Sequence, residues 1–141
     1  MNATQRLFGF VWQGQALAMD FSAVYAAFRS TGLVAGPPKS QALGMLLRDG
    51  TPTMVMPHGH VLQTMDGQAF APKSQQPEPG LDQPSWVVVL AEQTSPVRLA
   101  FRADETHGPF RASLARTEQG VVATYRDREW LVLRSTSPLN P

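Results

Sequence analysis

Leu7-Phe8-Gly9-Phe10-Val11-Trp12, then Gln13-Gly14-Gln15, then Ala16-Leu17-Ala18-Met19: two short apolar runs around a glycine turn read as a β-hairpin. The same pattern returns in the second half of the chain. Trp86 to Leu90 is a continuous apolar strand, Gln93 to Pro96 a turn, and Val97, Leu99 and Phe101 alternate with Arg98, Ala100 and Arg102. A second pair of segments echoes in the same order. Arg48-Asp49-Gly50 precedes Met54-Val55-Met56, and Arg126-Asp127-Arg128 precedes Leu131-Val132-Leu133. A repeat near half the chain length indicates two similar β units.

The remaining segments fill in around these. Leu43 to Leu47 and Thr53 to Met56 flank Arg48-Asp49-Gly50 as a second hairpin, Asp-Gly between apolar runs being a strong short-range turn signal. Phe110 to Leu114, Val121 to Tyr125 and Trp130 to Leu133 read as further strands. Between the hairpins of the first half, Phe21, Val24, Tyr25 and Phe28 fall at helical spacing behind the capping candidates Asp20 and Ser22. Thr31-Gly32 would end that short helix. Gly36-Pro37-Pro38 is a rigid loop. From Asp66 to Ser85, Pro72, Pro77, Pro79 and Pro84 alternate with polar residues, and Phe70 and Leu81 are the only large apolar ones. That composition reads as a mobile linker or long loop.

The fold class is therefore all-β, a barrel or sandwich with one or two short helices. The apolar positions expected to face the interiors include Phe10, Trp12, Val55, Val88, Leu99, Phe101 and Leu131.

Composition excludes several classes of function. The chain has 141 residues, 43% of them hydrophobic, enough to pack a core. A net charge of +1, with ten arginines and two lysines scattered from Arg6 to Arg134, gives no clustered basic face for nucleic acid. With no cysteine there are no disulfides, thiolate metal sites or cysteine nucleophile. No apolar stretch is long enough to span a membrane, and Met1 to Phe8 shows no secretory pattern, so the expected setting is the cytoplasm.

Catalytic constellations are thin. His58 and His60 flank Gly59, and His107 lies far along the chain. Two histidines two apart on a strand would point the same way and could share a metal with a third ligand. Pro57 and Gly59 make that segment a turn, however, and no carboxylate stands at ligand spacing beside it. A metal-dependent enzyme using His58, His60 and His107 is the minor alternative. No serine sits in a nucleophile elbow and no glycine-rich loop is followed by lysine. No cofactor is expected. What remains is a surface for contact with other proteins.

The order of segments resembles the CheW family over nearly the whole chain, from about Arg6 to Leu139. Phe8-Gly9-Phe10, the glycine turn and Ala16-Leu17-Ala18-Met19 resemble that family's opening strands. Gly36-Pro37-Pro38 with Leu43-Gly44-Met45-Leu46 resembles its proline-rich turn and the strand after it. Arg48-Asp49-Gly50 before Met54-Val55-Met56 resembles its Asn-Leu-Arg-Gly turn and following strand. Trp86 to Val89, Leu99 to Ala103 and Asp104 to Gly108 resemble the second half. The chain also departs from the family pattern. Leu47 stands at the asparagine position, Asp49 at the arginine associated with receptor contact, and Pro57 at a strand aspartate.

The resemblance implies a single CheW-like domain over 1–141 made of two five-stranded β-barrels. The first spans roughly 6–65 and the second roughly 86–135, with the loop 66–85 between them. It implies a non-enzymatic adaptor, monomeric alone and assembled in arrays, for chemotaxis or for pili-based twitching motility. The implied partners are the regulatory domain of a CheA-type histidine kinase and a chemoreceptor cytoplasmic tip lying in the groove between barrels, through Leu33, Leu47, Arg48, Asp49 and Gly50. A paralogue that has kept the barrels but lost receptor contact is the alternative.

Overall fold

The computed structural model describes residues 4–48, 50–74, 76–94 and 97–136. The opening hairpin forms as its sequence indicates. Strand β1 (Gln5–Trp12) pairs antiparallel with β2 (Gln15–Asp20). Gln13 and Gly14 both take positive φ, 50° and 84°, as a two-residue hairpin turn of the twist-matched kind demands. From Leu7 onward every residue of β1 is buried, because both faces of the strand are covered. Phe8, Phe10 and Trp12 enter one apolar cluster, and Leu7 and Val11 enter another.

The expected helix after Asp20 is a strand. Asp20 does act as a cap, accepting from the Ser22 amide, but only over a three-residue 3₁₀ turn, Phe21–Ala23. Then β3 (Val24–Ser30) runs antiparallel to β7 (Ser85–Thr94). A register shift between Val24 and Ala26 breaks the two-residue alternation of β3. The apolar side chains therefore recur at intervals that imitate a helix.

The second hairpin joins β4 (Gly44–Arg48) to β5 (Thr51–Val55). A single helical turn, α1 (His58–Val61), and the short β6 (Leu62–Thr64) follow. The later strands are β8 (Val97–Ala103), β9 (Glu105–Ala112), β10 (Leu114–Thr117), β11 (Gly120–Tyr125) and β12 (Arg128–Ser135).

The strands make two curled sheets. One has the order β10-β11-β12-β2-β1-β9 with β6 added beside β12, and the other the order β3-β7-β8-β5-β4. In the first, β9 passes directly into β10 through a bend at Ser113, so one bent strand closes the curl between β1 and β11. The second uses the same device in reduced form. After β3 the chain crosses over to β4 and forms a single bridge, Val34 to Met45. Counting each bent strand once, and leaving out β6, the result is two five-stranded half-barrels of similar design.

Their membership does not follow the division into 6–65 and 86–135. The β1–β2 hairpin recruits β9 to β12 from the second half, and the β7–β8 hairpin recruits β3, β4 and β5 from the first. The echo between halves is present, since β12 lies parallel to β2 as β5 lies parallel to β8. Each half sends its later strands to the other half's hairpin. The pairing that decides this is long-range and made by backbone groups, which carry no residue identity.

Three apolar layers result. The largest lies between the sheets, where Phe8, Phe10, Trp12, Leu17 and Met19 meet Val88, Leu90, Phe101 and Ala103. Leu7, Val11, Phe110, Trp130 and Val132 fill one curl, and Val55, Val87, Val89 and Ala100 the other. Of the expected interior set, only Val55 faces the inside of a curl. Phe10, Trp12, Val88 and Phe101 lie between the sheets, with Leu99 and Leu131 half-buried at the margin of that layer.

The segment 66–85 is not a loose linker. Phe70 is buried in the layer between the sheets, its amide bonded to the Leu62 carbonyl at 3.0 Å. Arg102, only 1% exposed, projects from β8 into the mouth of the second curl. Its Nε donates to Ser85 Oγ at 3.1 Å, Nη1 to the Pro79 carbonyl at 2.9 Å, and Nη2 to the carbonyls of Gly80 at 2.9 Å and Gln83 at 3.3 Å. A buried guanidinium with no ion-pair partner among the described residues is tolerated because backbone oxygens take up its donors.

Candidate functional site

Strand β4 presents apolar side chains on both faces. Leu46 points inward and packs on the Val55 layer. Met45 and Leu47 alternate with it and point outward. The register extends this outer row across the sheet: Met45 stands opposite Met54, Met54 opposite Leu99, and Val34 opposite Met45. Leu99 packs on the layer between sheets, Met45 and Met54 are half-buried, and Val34 and Leu47 are 62% and 69% exposed. An apolar strip thus runs from the core out to solvent at the edge of the second sheet. Val34 and Leu47 are two of three large apolar residues so exposed among the described residues, the third being Tyr25. Patches of this kind on an otherwise polar surface mark contact with another protein.

The residues expected to carry binding fall on and around this strip. Leu47 lies within it. Leu33 is half-buried against the inner layer, with its amide bonded to the Leu81 carbonyl at 2.8 Å, and it supports the exposed Val34 beside it. The exposed Arg48 places its guanidinium 4.3 Å over the Phe28 ring. Gly50, at φ 79°, is exposed with open space around it. Asp49 lies outside the described residues. Val34, Met45 and Met54 were not anticipated as surface residues. The available signal was apolar character at consecutive positions 44–47 of a strand ending in a turn.

The three histidines do not converge. His58 is buried between the sheets, its ring 4.7 Å from that of Trp12 and 5.6 Å from that of Phe101, with Nε2 2.7 Å from the Arg102 carbonyl. Burial holds its pKa below the usual histidine value, against the Arg102 carbonyl, which raises it. The ring is therefore neutral, and Nε2–H donates. His60 is exposed on the same helical turn, and His107 lies on β9, edge-on to Trp130 at 5.0 Å and 3.4 Å from Glu105. Among the described residues no group of three histidine or carboxylate side chains could hold a metal ion. Likewise, no helix among them is long and apolar enough to cross a membrane.

No protein-family model matches the chain, and no curated protein matches it in sequence. The solved structure of the scaffolding protein TtCheW from Thermoanaerobacter tengcongensis does match in fold. Its TM-score is 0.58 over 96% of this chain and 90% of that one, at 10% sequence identity. Coverage so complete at an identity so low places the likeness in strand order and packing, and on that ground the chain has a CheW-like fold.

Proposed function

We propose that this protein is a non-enzymatic adaptor of a bacterial chemosensory system, cytoplasmic, joining a CheA-type histidine kinase to a chemoreceptor. The carrying observation is the outer strip of Val34, Met45, Leu47 and Met54, an apolar surface at a sheet edge. The fold supports the reading, since the similar TtCheW is described as a scaffolding protein. The strip is assigned to the regulatory domain of the kinase. Leu47, Arg48 and Gly50 form its outer end, and Leu33 holds Val34 in place.

A specific observation favours a second reading, in which the receptor contact has been lost. Arg48 is stacked on the chain's own Phe28, and an aspartate stands at the position of the family's arginine. The deciding measurement is binding of the purified protein to the kinase regulatory domain and to a receptor cytoplasmic fragment, tested separately. Binding to both, with the kinase interaction lost in Leu47→Asp, is the outcome expected of an adaptor. Kinase binding alone would establish the second reading, and binding to neither would remove both.

A further inference from the structure

All the sulfur in this chain is methionine: there are six methionines and no cysteine. Met1 lies outside the described residues, and the other five differ in environment. Met19 is fully buried between the sheets, Met56 packs on the same layer, and Met65 packs on the layer that Phe110 and Trp130 fill. Met45 and Met54 join none of the three apolar layers, and both are half-buried on the outward face of the second sheet. They are also neighbours, Met45 standing opposite Met54 across the β4–β5 hairpin. The Met45 amide and carbonyl bond to Val34, at 2.8 Å and 3.0 Å, and so point away from β5. Met45 and Met54 therefore form a non-hydrogen-bonded pair, the kind in which opposite side chains approach most closely. Two thioethers thus stand side by side in the strip, between Leu99 and the exposed Val34 and Leu47.

We propose that the Met45–Met54 pair is an oxidation site, and that its oxidant is a small peroxide. The chain has no thiol to intercept the peroxide first, and among thioethers susceptibility follows exposure. A sulfur lone pair attacks one peroxide oxygen, the O–O bond breaks, and the departing hydroxide takes the proton from the transferred oxygen. The thioether is oxidised by two electrons to a sulfoxide, and hydrogen peroxide is reduced to water. A dithiol reductase reverses the step, releasing the oxygen as water while its two thiols become a disulfide. Each sulfoxide sets a polar S–O group among Val34, Leu47 and Leu99, so an apolar strip becomes a polar one. Neither side chain packs in a layer, so the fold survives the change. The same oxidation at Met19 would bury a polar group without a partner. The site stands independently of the docking reading above; that oxidation would oppose docking rests on it.

The test treats the purified chain with hydrogen peroxide and follows each methionine by peptide mass spectrometry. Thermal stability and retention on a phenyl-substituted column are read on the same samples. Met45 and Met54 should gain oxygen about tenfold or more faster than Met19, and ahead of Met56 and Met65, with the melting temperature little changed. Retention should fall as they oxidise. It should recover after treatment with both methionine sulfoxide reductases, one for each sulfoxide epimer. The double variant Met45→Leu, Met54→Leu nearly conserves volume, so it should keep the fold and hold its retention under peroxide. Oxidation of Met56 or Met65 ahead of the pair, or a fall in retention as large in the double variant, would overturn the inference. Affinity for the kinase regulatory domain tests the docking reading separately. An affinity unchanged once both residues are shown to be sulfoxides counts against docking on this strip and leaves the oxidation site standing.

Discussion

The His58 side chain is tied to the Arg102 main chain, with His58 Nε2 2.7 Å from the Arg102 carbonyl oxygen, while the Arg102 side chain holds the Pro79–Gln83 turn. One residue of β8 therefore couples the helical turn after β5 to the long loop before β7.

The burial of His58 makes stability depend on pH. The folded-state pKa of His58 is depressed, chiefly by burial, so the unfolded chain binds the proton more readily. The contribution is fully present above the unfolded value of about 6.5 and is lost as pH falls from there through the folded pKa. Denaturant midpoints measured from pH 7.5 down to pH 5 should fall, and His58→Gln should flatten that slope. An equal slope in the variant would assign the dependence to other groups.

Replacing Arg102 by Met removes the four hydrogen bonds and leaves Ser85 Oγ and three carbonyls without their donor. The expected cost is about 3 kcal/mol, with protease cleavage appearing between residues 79 and 84. A variant as stable and as resistant as the parent would return this segment to the spacer suggested by its composition.

Phe101 is fully buried between the sheets, its ring 4.8 Å from that of Phe10. Phe101→Ala should lower the unfolding free energy by about 3–5 kcal/mol, as for other buried aromatics. Equilibrium denaturation in urea measures it directly.

Gly9 faces the other layer, where a Cβ would lie 2.9 Å from Phe110 and 3.0 Å from Trp130. Gly9→Ala should cost about 1–3 kcal/mol by overpacking and perturb the near-ultraviolet signal of Trp130. A neutral result would mean that the two rings can part without loss.

Leu47→Asp makes the contrasting case. The side chain is 69% exposed, so stability should change by no more than about 0.5 kcal/mol while kinase binding falls. A large drop in melting temperature would show Leu47 to be part of the core.

Much of the local structure was legible in the residues themselves. Gln13-Gly14 marks a hairpin because glycine relieves a positive φ, and Val97, Leu99 and Phe101 mark a strand by alternation, although from Ala100 onward that strand is buried on both faces. Legibility ended where a local irregularity or a distant partner decided the outcome. The register shift in β3 disguised a strand as a helix. Arg102 read as the solvent-facing member of an alternating strand, and its burial depends on carbonyls about twenty residues away in sequence. Leu47 read as one more apolar strand residue, because exposure depends on which face the sheet leaves uncovered.

By itself, then, the sequence determined most of the strands, the two hairpins and their repetition, because φ preference and side-chain alternation act within a few residues. Only the tertiary structure decided that each half's later strands join the other half's hairpin, and that Val34 and Leu47 end in solvent. Strand pairing joins backbone groups that are alike at every position, so the choice among pairings is made by how three apolar layers pack at once.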